Sequence, residues 1–235
     1  MFVVVIIVII WRQEHNSSSS QQHQTFNNNR SKVTCHFTRC RRFLGYRISS
    51  FHAQHQKTKS SVDAFIGRYE NYIVMDESGQ YLQLSNALTL VNSSLSQKLN
   101  LGPFNSTHTL QFQYSSSDRI KPVNLQYAVN VHIKLPLFQK RMKTHLGVDA
   151  FVIPSYDTPS FFPVAGEFYG LSTGNQSDNI LYVNPYFNAQ VDRLFFFIKG
   201  VNSARNAYPL NAGLVSGFNL PNYNIRFGIR WTLLD

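Results

Sequence analysis

Apolar and polar residues alternate over residues 123–137, whose sequence is VNLQYAVNVHIKLPL. The odd-numbered positions carry Val, Leu, Tyr or Ile, whereas the positions between them are mostly Asn, Gln, His or Lys. A period of two residues is typical of a β-strand with one apolar and one polar face. Strands usually have about five or six residues, whereas a strand that crosses a bilayer needs about 9–11. This stretch is therefore long enough to span a membrane.

Comparable patterns recur to the end of the chain, and we interpret residues 61–235 as a domain of β-strands. No apolar run there approaches the roughly 20 residues that a membrane-spanning helix needs. Alternation also explains why the mean hydropathy stays slightly negative, because the polar positions dilute the apolar ones. The candidate strands are residues 62–75, 82–99, 106–115, 123–137, 142–153, 180–191, 194–201 and 223–234.

The predicted connections alternate in length, which favours one architecture. Outer-membrane barrels have short turns at the periplasmic end and longer loops outside, whereas the Greek-key connections of a β-sandwich break such alternation. Only the connection 76–81 breaks the alternation, because its place in the order requires a long loop and it is short. We therefore predict an all-β fold, an antiparallel up-and-down transmembrane β-barrel with about eight strands here, forming the carboxy-terminal part of a larger barrel. The short connections are 100–105, 138–141 and 192–193, the intermediate one is 116–122, and the long ones are 154–179 and 203–222.

The net charge of +10 belongs mainly to residues 1–60. They hold nine Lys or Arg and one acidic residue, whereas the rest of the chain holds thirteen and eleven. Only 14% of all residues are charged, which is low for a soluble protein. The strand region is thus nearly neutral and has no basic stripe with interleaved aromatics, so nucleic acid is not an expected partner.

Residues 1–60 are predicted to be poorly structured or aberrant. Residues 1–10 have the length of a signal-peptide core, but no basic residue precedes them and no clear cleavage site follows. A poor secretion signal, a stray strand and a misplaced gene start all stay open. Residues 12–60 are rich in Ser, Gln, Asn, His and Arg, a composition that buries too little surface to offset chain entropy. Within them, 42–50 could form a short strand.

Two cysteines, Cys35 and Cys40, flank His36 in the segment TCHFTRC. A metal site usually has more closely spaced ligand pairs and a second pair further along the chain. A disulfide across this short loop is an open alternative. We favour two incidental thiols, and we expect no metal site.

No catalytic motif is present in the sequence. There is no Gly-x-Ser-x-Gly elbow, phosphate-binding glycine loop or His-Glu-x-x-His. His132, Lys134, His145 and Asp149 can meet on the polar faces of neighbouring strands, and we interpret them as hydrated lining residues rather than a catalytic or metal site. The expectation is a protein that is not an enzyme and needs no cofactor.

The last predicted strand carries Arg226 and Arg230 between apolar residues. An arginine facing lipid near the bilayer centre would cost about 2–4 kcal/mol, so both are expected to face water or the barrel interior. The strand with Phe195 and Phe197 is apolar on both faces, which argues against a wide, fully hydrated channel at that position.

Several blocks resemble the putative porins of Bacteroidetes-type bacteria, from about Asp63 to the end of the chain. They are RYENYIVMDESGQ at 68–80, LSQKLNLGPFNSTHTLQFQYSSSD at 95–118, HLGVDAFVIPSYDTPSFFPVAGEFYG at 145–170, and DRLFFFIKGVN with NYNIRFGIRW near the end. The most specific block is formed by six residues, which are also the candidate functional residues of the 154–179 connection: Tyr156, Pro159, Pro163, Gly166, Phe168 and Tyr169. The next most specific block is RFGIRW at 226–231.

The resemblance implies an outer-membrane porin for passive diffusion of small solutes or ions. The implied partners are outer-membrane lipid and the assembly machinery, which would recognise the C-terminal strand, and a homo-oligomer is an open option. Lys134, Arg226 and Arg230 would favour anions. The alternatives are a non-pore barrel that binds through its long loops, or an inactive barrel fragment. The candidate lumen-lining residues are Asn124, Gln126, Asn130, His132, Lys134, His145, Asp149, Arg226 and Arg230.

The 154–179 connection has two open interpretations. It is either a constriction loop folded into the lumen or a rigid external loop whose aromatic residues pack on one another.

Overall fold

A computed structural model describes most of the chain as antiparallel β-structure. The described residues are 21–28, 31–39, 46–76, 78–139, 141–164, 166–169, 176–205 and 213–232, and for 21–28 and 31–39 the description covers the backbone. No helix in these ranges is long and apolar enough to cross a membrane.

Eleven strands form one sheet in which each strand pairs with its neighbours along the chain. Every pairing is antiparallel, so the fold is the predicted all-β, up-and-down arrangement. As the described residues define it, the sheet ends at the strands Gln21–Asn28 and Asn224–Trp231. The strands are β1 (Gln21–Asn28), β2 (Ser31–Arg39), β3 (Tyr46–His55), β4 (Ser60–Tyr69), β7 (Leu88–Leu101), β8 (Phe104–Ser115), β9 (Leu125–Leu137), β10 (Met142–Ile153), β15 (Ile180–Val191), β16 (Leu194–Val201) and β19 (Asn224–Trp231).

Eight short strands form four two-stranded pairs in the long connections. They are β5 (Ile73–Met75) with β6 (Tyr81–Gln83), β11 (Tyr156–Asp157) with β14 (Gln176–Ser177), β12 (Ser160–Phe162) with β13 (Glu167–Tyr169), and β17 (Gly213–Val215) with β18 (Phe218–Asn219).

The register continues each face of the sheet from strand to strand. Asn130 of β9 lies opposite Asp149 of β10, and Ile133 lies opposite Leu146. Directly opposed residues of an antiparallel pair lie on the same face. We call the face of Asn130 and Asp149 the polar face, and the face of Ile133 and Leu146 the apolar face.

Short turns lie at one end of the sheet and long loops at the other. The turn residues explain the tight connections: Gly102, at φ 60°, precedes Pro103, and Asp192 has a φ of 48°. Glycine at the first position of a two-residue hairpin turn supplies the positive φ that such turns need. The short turns are 56–59, 102–103, 138–141 and 192–193, and the long loops are 70–87, 116–124, 154–179 and 202–223.

The connection 76–81, which broke the predicted alternation, is the turn of a small hairpin. β4 ends at Tyr69 and β7 begins at Leu88, so the true connection is long and contains the β5–β6 hairpin. The predicted strands 62–75 and 82–99 each merged part of this loop with a sheet strand. With the corrected boundaries, every connection from β3 to β19 fits the alternation of short turns and long loops.

The amino-terminal region differs from the prediction. Residues 12–60 were expected to be mostly irregular, yet β1, β2 and β3 lie there and extend the sheet from the predicted eight strands to eleven. The suggested strand 42–50 overlaps β3, which is longer and starts later. Polar composition misled the prediction because β-pairing can satisfy the backbone without a long apolar run. Residues 1–10 and Cys40 lie outside the described residues, so neither the signal-like start nor the disulfide is addressed by the structure.

A small hydrophobic core lies at the loop end of the sheet. Ile153 and Ile180, which lie opposite each other on β10 and β15, pack with Tyr156 and Leu220 from the two longest loops. Phe151 and Tyr182, the next pair on the same face, stack with ring centroids 5.0 Å apart. This core anchors the loops to the sheet.

Three polar side chains on the apolar face of β8 and β9 are hydrogen-bonded to one another. His108 Nδ1 lies 2.6 Å from the Tyr127 hydroxyl, and its Nε2 lies 3.0 Å from Ser106 Oγ. Ser106 is buried. Mutual hydrogen bonding reduces the cost of placing polar groups among apolar neighbours.

Candidate functional site

The sheet register brings most of the predicted lining residues onto the polar face. Asn130 lies opposite Asp149, Lys134 lies opposite His145, and His132 lies opposite Gly147. Because side chains alternate along a strand, Gln126 shares this face, and Asn124 continues the same alternation just before β9 begins. On β19, Arg226 lies opposite Lys199 and Arg230 opposite Phe195, which extends the face across five strands.

Asp149 is the centre of a hydrogen-bonded group on this face. Asn130 Nδ2 donates to Asp149 Oδ1 at 2.5 Å and to the Tyr186 hydroxyl at 2.9 Å. Lys199 Nζ donates to Asp149 Oδ2 at 3.0 Å. His132 Nδ1 lies 2.8 Å from Asn130 Oδ1. The group therefore links β9, β10, β15 and β16 and holds these polar side chains in fixed positions.

Gly147 makes room for this group. It lies directly opposite Tyr186, and a Cβ added at Gly147 would lie 2.6 Å from the Tyr186 ring and 2.6 Å from the Val131 carbonyl oxygen. The Tyr186 ring thus covers the glycine, which allows its hydroxyl to reach Asn130. A similar arrangement occurs between β19 and β16, where the Phe197 ring covers the directly opposite Gly228.

Two histidines lie beside the Asp149 group. The rings of His132 and His145 stack with centroids 5.4 Å apart. Lys134, directly opposite His145, adds a positive charge to the same region. This stacking agrees with the expectation that the two histidines are neighbours on one face, whereas their predicted role as lining residues stays a prediction.

Cations outnumber carboxylates on the polar face of β9, β10, β15, β16 and β19. Asp149 is the one acidic residue at a polar-face position of these strands as described, and Lys199 already pairs with it. Arg226 Nε donates to Asn224 Oδ1 at 3.3 Å, and the Arg230 guanidinium lies 5.3 Å from the centroid of the Phe195 ring. This part of the face therefore carries an excess of positively charged side chains.

Three members of this face lie outside the predicted set of lining residues: Lys143, Tyr186 and Lys199. The pattern of β16 concealed Lys199, because Phe195 and Phe197 make that strand apolar on both faces. Its position opposite Arg226 and Tyr186 follows only from the register. The predicted alternation of β15 was the signal that could have identified Tyr186.

The predicted loop residues divide between a buried part and an exposed hairpin. Tyr156 is 7% exposed, and its hydroxyl donates to the carbonyl oxygens of Gly213 and Leu214 at 3.1 Å. Burial raises the pKa of the Tyr156 phenol above its usual range. Pro159 accepts a hydrogen bond from Ser216 N, so the two longest loops contact each other in a second place.

The β12–β13 hairpin carries the remaining loop candidates. Phe168 packs on Phe161 with centroids 5.0 Å apart, while Pro163 and Gly166 lie in its exposed turn. Tyr169 pairs with Ser160 through the backbone. Aromatic rings pack on one another in the hairpin, and Tyr156 packs in the core at the end of the polar face, so both interpretations of the loop stay open.

A second polar group lies on β3 and β4. His52 Nδ1 lies 2.5 Å from Asp63 Oδ1, and the two residues are directly opposite each other. They line a cavity of about 310 Å³ together with Ser50, Asn92 and Ser94. The pairing of Asp63 with Ser94, Ser94 with Gln111 and Gln111 with Gln126 shows that this group shares the polar face.

Residues 13–235 match the sequence profile of a family described as Putative porin. The chain belongs to this family. The match begins well before Asp63, where the recognised blocks start, and it includes β1, β2 and β3. The family match therefore covers the whole described sheet. No curated protein and no solved structure gives a significant match to the chain.

Proposed function

We propose that the protein is a bacterial outer-membrane porin through which small solutes diffuse passively along the polar face. The observation that carries the proposal is the continuity of this face across the sheet, with an apolar face behind it. In a closed barrel, the polar face would line the interior and the apolar face would meet lipid.

The exposed apolar side chains support a membrane location. On β19, Phe227 is 80% exposed and Ile229 is 75% exposed, and Leu146 on β10 is 50% exposed. Large contiguous apolar surfaces are rare on soluble monomers and mark contact with lipid or protein. Successive strands that each alternate apolar and polar residues are typical of outer-membrane barrels, so outer-membrane lipid is the partner that fits the apolar face. Because the sheet has eleven described strands, an odd number, β1 and β19 run parallel, and an all-antiparallel barrel would need a further strand between them.

Three further features belong to the proposal. The protein acts without covalent chemistry and without a cofactor, since diffusion through a hydrated lumen requires neither. β19, an amphipathic strand that ends in Trp231, is the segment offered to the outer-membrane assembly machinery. A homo-oligomer is compatible with the outward-facing polar group of Ser106, His108 and Tyr127, which a neighbouring copy could cover.

Charge on the polar face should set the ion selectivity of the pore. We expect the double variant Arg226→Gln, Arg230→Gln to lower the chloride-to-potassium permeability ratio by roughly twofold or more, because two fixed positive charges leave the path. Asp149→Asn should raise the ratio, because it removes the acidic residue on this part of the face. Reversal potentials in planar bilayers with a salt gradient measure both changes.

The two variants alter charge in opposite directions, so each serves as the control for the other. The variant Lys134→Gln removes one positive charge and gives a third value of the permeability ratio for comparison. Unchanged selectivity in the double arginine variant, in a pore that still conducts, would contradict the assignment of β19 to the lumen wall.

The loop packing favours one alternative, a barrel without an open pore that binds other molecules through its loops. Tyr156 and Leu220 cover the end of the polar face on β10 and β15. Under this alternative the refolded protein would be stable but would not conduct. Single-channel recordings therefore separate the two functions directly.

A further inference from the structure

Two aromatic rings lie next to each other on the polar face of β16. The ring centroids of Phe195 and Phe197 are 6.4 Å apart, and the ring planes are tilted by 35°. The Phe197 ring covers Gly228, which lies directly opposite it on β19. Both rings are partly exposed. We call Phe195 and Phe197 the ring pair, and it forms an apolar area near the short-turn end of the polar face.

Three cationic side chains border the ring pair. Arg230 lies directly opposite Phe195, and its guanidinium carbon is 5.3 Å from the centroid of the Phe195 ring. Arg226 shares this face of β19. On the other side of the ring pair, Lys143 lies opposite Gln190, which in turn lies opposite Phe195. All three cations are exposed, so a solute on the polar face can reach them.

No carboxylate among the described residues pairs with these three cations. Asp149, the acidic residue on this part of the face, pairs with Lys199 at 3.0 Å. Arg226 donates through Nε to a neutral amide oxygen, which leaves its terminal nitrogens available to a ligand. Arg230 contacts an aromatic ring rather than an acid. The ring pair is therefore bordered by positive charge that a bound anion would neutralise.

This combination of groups fits one class of solute. A guanidinium presents parallel N–H donors that match the two oxygens of a carboxylate. A planar apolar ring packs favourably on phenyl rings in an offset or edge-to-face arrangement. The contact with Phe195 also holds the Arg230 side chain in place, which reduces the entropy lost on binding. An aromatic carboxylate uses both features, whereas an inorganic anion cannot use the rings and a neutral aromatic molecule cannot use the charges.

We propose that this part of the polar face is a binding site for aromatic carboxylates, with the carboxylate on Arg230 and the aromatic ring on the ring pair. Arg226 and Lys143 raise the local concentration of the anion through their charge. The inference deepens the proposed function, because the passage of the ligand rests on the polar face lining a pore. A site inside a pore must also release its solute, so we expect weak affinity and rapid exchange.

The test is a titration of the full chain, refolded in detergent, with benzoate, followed by saturation-transfer NMR against a detergent-only blank. Acetate and benzyl alcohol are the matched probes, because acetate has the charge without the ring and benzyl alcohol has the ring without the charge. Benzoate should bind saturably, and roughly fivefold or more tightly than either of the other probes, because it alone engages both the guanidinium and the ring pair.

Two variants remove one feature each. Arg230→Gln removes the guanidinium and Phe195→Leu removes one ring, and each should weaken benzoate binding by roughly fivefold or more. Lys98→Gln is the control for charge, since Lys98 lies on the polar face of β7, with four strands between β7 and β16. Phe196→Leu is the control for the ring, since Phe196 lies on the apolar face of β16. Both controls should leave the affinity unchanged, and gel mobility before and after heating confirms that each variant is folded.

Currents in planar bilayers separate the site from the pore. Benzoate should reduce the current of the unmodified pore, and reduce it less in Arg230→Gln. Saturable binding to a folded protein that does not conduct would support the site and contradict the porin function. Absence of saturable benzoate binding would overturn the site, and a pore that still conducts would leave the porin function standing.

The controls also decide whether the effect is specific. Acetate that binds as tightly as benzoate, or equal losses in Lys98→Gln or Phe196→Leu, would overturn the site. If Phe195→Leu fails to fold, Arg230→Gln decides, because Arg230 is exposed and its replacement leaves no cavity.

Discussion

Replacing Leu146 by Arg should destabilise the protein in phospholipid vesicles by about 2–4 kcal/mol. Leu146 lies in the middle of β10, between Ile133 and Phe187 on the apolar face, and half of its surface is exposed. In a membrane this surface meets hydrocarbon, where a guanidinium loses its hydration. Equilibrium unfolding in urea, followed by tryptophan fluorescence, measures the change.

The neighbouring substitution His145→Arg is the control for this prediction. His145 lies on the polar face, so its replacement should cost less than about 1 kcal/mol, since arginine remains hydrated in a lumen. Similar costs for the two variants would show that both faces meet water, and the membrane assignment of the apolar face would be wrong.

Replacing Gly147 by Ala should destabilise the protein by about 1–3 kcal/mol, the usual cost of overpacking. The added methyl would lie 2.6 Å from the Val131 carbonyl oxygen, which belongs to the backbone and cannot rotate away. It would also displace the Tyr186 ring and separate its hydroxyl from Asn130. Urea unfolding in detergent measures the loss without involving the bilayer.

Gly228→Ala is the matched control for the glycine prediction. Its added methyl would also come within 2.6 Å of an aromatic ring, but each of its three nearest atoms belongs to the side chain of Phe197. That ring can shift, so the cost should be smaller. A loss in Gly228→Ala equal to that in Gly147→Ala would show that the Val131 backbone contact is not what limits the site.

Strand alternation was sufficient to predict the architecture of the carboxy-terminal part. All eight predicted strands have a counterpart in the main sheet, because a buried or lipid-facing side imposes a period of two that survives in the sequence. The same pattern placed Asn130, His132 and Lys134 on one face. The family resemblance was confirmed over a longer stretch than the residues that first suggested it.

The remaining features depend on contacts between strands. Lys199 and Tyr186 join the Asp149 group only through the register of β15 with β10 and β16. β1 and β2 lack a strong apolar period, so their sequence resembles that of irregular segments. The strand-like sequence of the β5–β6 hairpin continues the alternation of β4 and β7, so the predicted strands merged with it. Only the pairing of β5 with β6 shows that the hairpin is separate from the main sheet.

The most direct test of the central claim compares thiol accessibility on the two faces of β9. Asn130→Cys and Val131→Cys are made in a background with Cys35 and Cys40 changed to Ser, and single-channel current is recorded while a charged, membrane-impermeant thiol reagent is added. We predict that the reagent reduces the current through the Asn130→Cys pore and leaves the Val131→Cys pore unchanged, because only the polar face meets the aqueous path. Block in Val131→Cys without block in Asn130→Cys, or a folded protein that never conducts, would contradict the assignment of the polar face to a solute pathway.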